Sequence, residues 1–384
     1  MDGEKQERVL VAMSGGVDSS VAALLLRDAG YDATGVTMKL FDNEVAGVGG
    51  ACVVGESTCC SQSDVEDARQ VAFGLGLEHF TFNFTGTFGC EVIDRFCDAY
   101  LYGRTPNPCI DCNRYLKFAA LQRRRAQLGF DYVATGHYAR RAFNERTGRF
   151  ELRRGLDEAK DQSYVLYHLT QDDLAHMLFP LGELTKPQVR ELAEKHSFRN
   201  AHKAESQDIC FVPDGDYASF IARYMGFGGD AARGDGKERA VPAAFEPGDI
   251  VDVGGKVLGR HTGLVHYTIG QRKGIGVAAP EPLYVVGKDA GKNVLVVGPR
   301  SELGVREVCA GDVNLISVAE LDKPMRVTAK THYRQREQAA EAVMEGDQLV
   351  VRFDEAVARP AAGQSLVLYD GDAVVGGGTI EVSE

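Results

Sequence analysis

Residues 13–20, Met-Ser-Gly-Gly-Val-Asp-Ser-Ser, have the composition of a loop that holds a phosphate group. The apolar run 9–12 before them predicts a strand, and residues 17–29 after them predict a helix. The two glycines allow a tight turn close to a ligand, and the helix start directs unpaired N–H groups at an anion. Asp18 beside such a site indicates a magnesium ligand. The alternative, a Gly-rich turn with a Ser/Asp helix cap, is disfavoured by the full strand–loop–helix context.

Two segments could supply a reactive thiol. Cys109 and Cys112 form a Cys-x-x-Cys pair that follows two prolines and ends at the predicted start of a helix, residues 113–128. The helix dipole and nearby basic side chains favour a thiolate at Cys112. A zinc ribbon needs a second pair at matching spacing, which the adjacent Cys59 and Cys60 do not supply. A structural or metal-binding use of the pair stays open at this point.

Cys210 lies where a polar loop, residues 204–209, leads into a predicted apolar strand. Packing in the core would explain a single cysteine there. Together with Cys112 it indicates sulfur transfer, because one thiol can carry a terminal sulfur while a second releases it.

The loop at 13–20 resembles the pyrophosphatase loop of the N-type ATP enzymes. It is neither a Walker sequence, since no GK[ST] closes it, nor a GxGxxG loop. The resemblance implies that ATP is cleaved between its α- and β-phosphates and that AMP passes to a substrate oxygen. It leaves the acceptor open.

These residues need a scaffold, and strands alternate with helices over the first 200 residues. Ser63 is predicted as the N-cap of the second helix, with Glu66 completing a capping box. The pattern predicts an α/β fold with a doubly wound parallel sheet, whose ligands gather at the C-terminal strand ends. Strands are predicted at Val9–Met13, Ala33–Leu40, His79–Phe84 and Asp131–Gly136, and helices at 63–75, 87–102 and 113–128.

Three domains are expected. Residues 1–213 would form the ATP-pyrophosphatase catalytic domain, 214–281 a small central domain with a Gly-rich linker, and 282–384 a C-terminal β-barrel of short strands. The strands after position 282 are predicted at 283–286, 294–297, 325–331, 339–344, 348–353, 365–369 and 374–382. A hairpin is predicted at 138–156.

Composition narrows the function further. The 384 residues carry a net charge of −12, which argues against general polyanion binding, but residues 104–160 contain 13 Lys and Arg against 6 Asp and Glu. A basic face on an acidic protein fits a selective nucleic-acid site. Without an apolar span or signal segment the protein is expected to be cytoplasmic, with no membrane partner. In that compartment the nine cysteines are expected to be free thiols or metal ligands rather than structural disulfides.

Taken together, these motifs resemble those of the tRNA-specific 2-thiouridylases, nearly from end to end. The matching segments are AMSGGVDSS at 12–20, GVTMKL at 35–40, GRTPNP at 103–108, CN at 112–113, KF at 117–118, ATGHYAR at 134–140, RGLDEAKDQSYVLYHL at 154–169, KPQVRELAE at 186–194, SQDICFV at 206–212, HTGLVHYTIGQRKGIG at 261–276, YVV at 284–286, and GQS and GGGTIE near the end.

The resemblance implies a reaction and its residues. ATP adenylates O2 of the wobble uridine 34 of tRNA, a persulfide on Cys210 delivers sulfur to C2, and AMP leaves. Cys112 is the catalytic nucleophile and forms a disulfide with Cys210 as sulfur is released. The implied ATP contacts are Ala12, Met13, Ser14, Gly15, Gly16, Val17, Asp18, Ser19, Met38 and Gly136. The implied tRNA contacts are Asn107, His137, Lys160, Asp161, Gln162, Tyr333, Arg334 and Gln364.

Cys109 departs from the family pattern, because some branches carry Asp at this position. Cys109, Cys112 and Cys210 could instead hold an iron–sulfur cluster whose open iron site carries sulfide, an alternative ranked below the persulfide. The resemblance also implies tRNAs for Lys, Glu and Gln as substrates and a cysteine desulfurase or sulfur-relay protein as donor.

The rivals are an ATP-dependent amide ligase, which would need neither thiol, and a tRNA-binding protein without catalysis. No role is assigned to Cys52, Cys59, Cys60, Cys90, Cys97 or Cys309.

Overall fold

The computed structural model describes residues 6–41, 62–203, 209–227 and 240–381. In its N-terminal part the strands are β1 Arg8–Ala12, β2 Asp32–Lys39, β3 His79–Asn83, β4 Tyr132–Thr135, β5 Ala139–Asn144, β6 Arg149–Arg154 and β7 Met177–Leu178. The helices are α1 Val17–Asp28, α2 Gln62–Gly74, α3, made of Thr85–Phe88, Gly89–Asp94 and Arg95–Leu101, α4, made of Pro108–Asp111, Cys112–Ala120 and Leu121–Leu128, α5 Gln171–Ala175, α6 Lys186–Lys195 and α7 Tyr217–Met225.

A parallel sheet with the order β3-β2-β1-β4-β7 organises this part. Strand β1 is apolar after Arg8, and Val9, Leu10 and Val11 are at most 1% exposed, as expected for a strand covered on both faces. The order reverses at β1, so the crevice between the ends of β1 and β4 is a switch point where α/β proteins bind ligands. The predicted fold class is confirmed.

Three local predictions were wrong. Ser63 lies inside α2 and does not cap it. Helix α4 begins at Pro108, not at Asn113, because the Asn107 side chain accepts the N–H of Cys109 at 3.2 Å and a proline fits the first helical position. Cys210 lies in a turn and not before a strand; the N–H of Val212 donates to the carbonyl of Ile209 at 2.9 Å.

A second sheet lies in the central part, with strands β8 Gly248–Asp252, β9 Val257–His261, β10 Tyr284–Asp289 and β11 Val294–Gly298 in the order β10-β11-β8-β9. The two strands after position 282 thus pair with the central ones.

The C-terminal strands are β12 Gly304–Leu315, β13 Met325–Lys330, β14 Gln338–Glu345, β15 Gln348–Ala358, β16 Ser365–Asp370 and β17 Ala373–Ile380. Pairing of β12 with both β15 and β17 closes them into a barrel. The sequence pattern did not predict β12, whose pairing is interrupted between Gly311 and Asn314, where Asp312 has a φ of +49°. The predicted hairpin is confirmed as β5–β6, and it joins the barrel through Ala373 and Arg153.

One apolar cluster connects the N-terminal part, which contains the parallel sheet, to the barrel. It contains Leu10 and Met38 from the parallel sheet, Phe96 from α3 and Tyr369 from β16. Packing of this kind fixes the barrel against the sheet, so that side chains from both parts can border one crevice. No helix among the described residues is long and apolar enough to cross a membrane.

Candidate active site

The loop after β1 is shaped to present backbone N–H groups. Gly15 has a φ of +75°, and a Cβ there would lie 2.3 Å from the carbonyl oxygen of Asp64, so only glycine fits. Helix α1 begins after Gly16 without a side-chain cap. The first-turn N–H groups of α1 therefore point into the crevice as an anion site.

The loop after β4 packs directly on this helix start. A Cβ on Gly136 would lie 2.8 Å from the backbone nitrogen of Ser19. Met38, at the end of β2, is 9% exposed and belongs to the core cluster below the loop. The residues assigned to ATP thus come together at the switch point, although their contacts with a nucleotide stay a prediction.

Asp18 has two partners that sequence reasoning did not name. Its carboxylate accepts hydrogen bonds from Nζ of Lys186 at 2.8 Å to each oxygen and from the hydroxyl of Tyr138 at 2.8 Å. The Lys186 side chain is 9% exposed and that of Asp18 is 32% exposed. The sequence did contain a signal for this contact. Lys186 occupies the first turn of α6, where the helix dipole disfavours a cation, so a lysine at this position indicates an acidic partner elsewhere in the fold.

The segment that leads towards Cys210 is tied to the back of the phosphate loop. Nδ2 of Asn200 donates to the carbonyl of Gly15 and to Oγ of Ser20, both at 2.9 Å. Lys203 donates to Asp64 and Asp67 at 2.6 Å each. Burial lowers the pKa of Lys203, but these two hydrogen bonds outweigh it and the pKa is raised.

The two predicted sulfur-handling thiols lie in segments that meet on α3. Cys112 and Cys210 are both half-buried against the core cluster. Phe211, next to Cys210, packs edge-on against Phe96 at 5.3 Å between ring centroids. Arg95, next to Phe96, lies 3.9 Å from the carboxylate of Asp111, which precedes Cys112. The fold therefore brings these distant parts of the chain to one helix.

The Cys112 segment carries an unusual charge environment. Burial raises the pKa of Asp111 to about 6, although Arg95 and Arg114 act against it. Arg114 also forms an ion pair with Asp312 of the barrel, and this hydrogen bond holds the pKa of Asp312 below its usual range. The ion pair connects the helix of Cys112 directly to β12.

The cysteines do not assemble as cluster ligands. Over the described ranges, which include Cys109, Cys112 and Cys210, no three His, Cys, Asp or Glu side chains form a group able to hold a metal ion. Cys109 is exposed while the other two are half-buried. This arrangement does not fit a three-thiolate iron–sulfur site. Among the unassigned cysteines Cys97 is buried, Cys90 exposed and Cys309 half-buried, and Cys52, Cys59 and Cys60 lie outside the described residues.

Several residues assigned to tRNA hold the protein's own loops. Asp161 accepts the N–H groups of Gly155 and Ser163 at 3.1 Å each, and Gln162 accepts the N–H of Tyr138 at 3.0 Å. The Tyr333 hydroxyl, from the barrel, donates to the carbonyl of Asp161 at 3.2 Å. The barrel and the N-terminal catalytic part are therefore in contact along these loops, and this contact is called the seam below.

The remaining members of this set differ in exposure. Gln364 donates to the carbonyl of Thr105 at 2.7 Å, two residues before Asn107. His137 is 8% exposed and shares a hydrogen bond with Thr135 at 2.7 Å. Burial lowers its pKa well below the usual value, so the ring is neutral. Lys160 is half-buried and Arg334 exposed. Their contacts with tRNA stay predictions.

Comparison with known proteins agrees with this architecture. Residues 7–214 match the family described as tRNA methyl transferase HUP domain, 239–299 the tRNA methyl transferase PRC-barrel domain and 305–380 the aminomethyltransferase beta-barrel domain. The chain is 47% identical over 382 residues to tRNA-specific 2-thiouridylase MnmA 1 of Thermoanaerobacter sp. (strain X514), covering 98% of this chain and 99% of that protein.

Two further relatives show the same extent of similarity. The tRNA-specific 2-thiouridylase MnmA of Carboxydothermus hydrogenoformans is 46% identical over 384 residues, covering 99% of each chain. That of Clostridioides difficile is 44% identical over 379 residues, covering 98% of this chain and 99% of the relative.

Proposed function

The chain belongs to the family of tRNA-specific 2-thiouridylases, and we propose that it replaces O2 of the wobble uridine 34 of tRNA by sulfur, using ATP. The products are 2-thiouridine, AMP and pyrophosphate. The enzyme is a tRNA sulfurtransferase.

One observation carries the assignment of residues: Cys112 and Cys210 both pack against the core cluster that contains Leu10 of β1 and Met38 of β2, the strands that border the phosphate loop. Phe211, beside Cys210, packs on Phe88 at 5.7 Å, and Phe88 packs on Phe41 at 5.9 Å. Phe41 lies two residues after the end of β2, the strand that pairs with β1 ahead of the phosphate loop. An amide ligase, the rival with the same loop, has no use for two thiols placed in this way.

The N-terminal loop activates the uridine. Its N–H groups and the start of α1 bind the phosphates of ATP, and Lys186 adds a cation beside Asp18. Mg²⁺ would be held by Asp18 and phosphate oxygens, a usual donor set; the carboxylate is one-third exposed (32%) and so remains reachable beside Lys186. Bound there, the ion would neutralise charge on the pyrophosphate. The uridine O2 attacks the α-phosphorus of ATP and pyrophosphate leaves. The oxygen on C2, a poor leaving group by itself, is then adenylated and can leave as part of AMP.

The thiols then deliver sulfur. The terminal sulfur of a Cys210 persulfide bonds to C2 of the uracil, and AMP leaves with its bonding electrons. The Cys112 thiolate attacks Sγ of Cys210, and the electron pair of the broken S–S bond stays on the sulfur of 2-thiouridine. Cys112 and Cys210 are left as a disulfide.

The tRNA would lie along the seam of catalytic part and barrel. The buried His137 and the half-buried Asn107, Gln162 and Gln364 border it, while the exposed Arg334 offers a cation to phosphate. Asp161, Lys160 and Tyr333 complete the proposed contact set. The tRNAs for Lys, Glu and Gln are the proposed substrates, and a cysteine desulfurase or sulfur-relay protein is the proposed donor.

The test is mass spectrometry of tRNA nucleosides after incubation with ATP, Mg²⁺ and a cysteine desulfurase with cysteine. We expect 2-thiouridine and AMP in equal amounts from the wild type, none from Cys112→Ser or Cys210→Ser, and unchanged product from the control Cys90→Ser, which alters an exposed thiol of α3. Wild-type amounts of 2-thiouridine from either of these two variants would refute the role assigned to that cysteine. ATP cleavage without 2-thiouridine, equal in the wild type and in both variants, would favour a ligase. Absence of tRNA-dependent pyrophosphate release from the wild type would indicate a binding protein.

A further inference from the structure

Cys109 is the member of the Cys-x-x-Cys pair that the proposed reaction leaves unused. Its side chain is exposed, whereas Cys112 and Cys210 are half-buried against the core cluster. The thiol nearest to Cys112 in sequence is therefore also the most exposed of these three.

The backbone places Cys109 and Cys112 one helical turn apart. The N–H of Cys112 donates to the carbonyls of both Cys109 and Pro108, which marks a tight turn. Side chains at positions i and i+3 of a helix have Cβ atoms about 5–6 Å apart, and a disulfide needs about 3.5–4.5 Å. A small movement of the first turn of α4 therefore suffices to join the two sulfurs.

The proposed reaction creates a need for such a thiol. Each round oxidises Cys112 and Cys210 to a disulfide, which has to be reduced before the next round. A reductant must approach a sulfur along the S–S axis, so access limits the rate of exchange. Two half-buried sulfurs packed against the core offer little room to a protein reductant, while Cys109 is exposed.

We propose that Cys109 is a relay thiol that moves the disulfide from Cys112–Cys210 to the pair Cys109–Cys112, in which the side chain of Cys109 is exposed. This inference rests on the proposed function. The Cys109 thiolate attacks Sγ of Cys112, a Cys109–Cys112 bond forms, and the electron pair of the old bond leaves with Cys210 as a thiolate. Cys210 is then ready to receive the next sulfur.

An external dithiol completes the cycle. One of its thiolates attacks the exposed Sγ of Cys109, which forms a mixed disulfide and releases Cys112. Its second thiol displaces Cys109, so the dithiol is oxidised to a disulfide while its two electrons and two protons return to Cys109 and Cys112.

Peptide mapping can show which two cysteines form the disulfide after one turnover. Trypsin cuts after Arg104 and Arg114 and gives the peptide 105–114, which holds Cys109 and Cys112, while Cys210 lies in the separate peptide 204–223. The persulfide-loaded enzyme is given ATP, Mg²⁺ and tRNA without reductant, quenched in acid after one turnover and alkylated. We expect an internal disulfide in 105–114 and an alkylated 204–223.

In Cys109→Ser the two peptides should instead be found cross-linked to each other. The first turnover should stay within about twofold of wild type, because the sulfur-transfer step does not use Cys109. Later turnovers with reduced thioredoxin should slow by at least about tenfold, since an intramolecular thiol is replaced by a hindered external one. Dithiothreitol, a small dithiol, should restore much of the loss, and the control Cys90→Ser should match the wild type throughout.

The outcomes separate the relay from the function. If wild type forms 2-thiouridine but Cys109→Ser turns over with thioredoxin at the same rate, the relay is wrong and the function stands. If Cys109→Ser loses the first turnover together with bound iron, Cys109 is a cluster ligand and the relay is wrong. If wild type forms no 2-thiouridine at all, the proposed function itself fails.

Discussion

Replacing Lys186 by methionine tests the ion pair beneath the phosphate loop. Methionine keeps an apolar stem of similar length and removes the ammonium that lies 2.8 Å from each oxygen of Asp18. At this separation two unit charges attract by about 6 kcal/mol with an effective dielectric constant of about 20. Desolvation cancels much of that gain, and the 32% exposure of Asp18 screens the pair further.

The free energy lost on removing the ammonium should therefore lie between the value for an exposed ion pair and the value for a fully buried ion pair. We expect Lys186→Met to lower the free energy of local opening at α1 and α6 by about 2 kcal/mol. Hydrogen exchange followed by mass spectrometry of peptides covering 17–28 and 186–195 measures this quantity for each helix. Peptides of the barrel serve as an internal reference, because no contact of Lys186 reaches them among the hydrogen bonds and ion pairs described above.

A double-mutant cycle isolates the pair. In an Asp18→Asn background the same lysine substitution should cost about 1 kcal/mol less, because the charge partner is already absent. Equal costs in the two backgrounds would refute the ion pair as a stabilising contact. An opening free energy that changes only in the barrel would refute the assigned location of the effect.

Three further outcomes follow from the same structure. Gly136→Ala should reduce ATP-dependent thiolation by at least about tenfold, since its Cβ would lie 2.8 Å from the nitrogen of Ser19; Gly74→Ala, which meets no atom within 4 Å, is the control, and equal activities would contradict the close approach. Burial raises the pKa of Asp111 from its ordinary value of 3.8 to about 6, so the folded state binds the proton more tightly. The local stability of α4 should therefore fall by about 2 kcal/mol as the pH rises from about 4 to about 6. Hydrogen exchange at these pH values should show the decline in wild type and not in Asp111→Asn. Chelation of Mg²⁺ should abolish pyrophosphate release and its return should restore it; release that persists in chelator would exclude a metal held through Asp18.

Local sequence patterns predicted the structure correctly where a single strand, helix or loop determines it. The run of Val9 to Val11 is a buried strand, and the small residues that follow it form a loop with a positive φ at Gly15. The family resemblance assigned Gly136 to the same site, and the pairing of the parallel strands β1 and β4 brings it there, against the start of α1. The start of α4 was missed because the cap is made by Asn107 in the unexpected context of two prolines, whereas its end at Leu128 was predicted correctly.

The barrel shows the limit of pattern reasoning. Its alternating strands were predicted except for β12, whose irregular pairing near Asp312 obscures the alternation. The extension of the barrel sheet by the hairpin β5–β6 depends on one pairing, between Ala373 and Arg153, and pairing partners so distant in sequence leave no local signal.

The sequence by itself determined the chemistry of the protein: a loop for phosphate, an acid beside it and two thiols suited to sulfur transfer, because residue type and short spacing set what each segment can do. Only the tertiary structure decided which groups surround them. The contact of Lys186 with Asp18 and the meeting of the Cys112 and Cys210 segments on α3 join residues far apart in the chain. Such contacts arise from the packing of whole elements around a common core, and no local pattern specifies them.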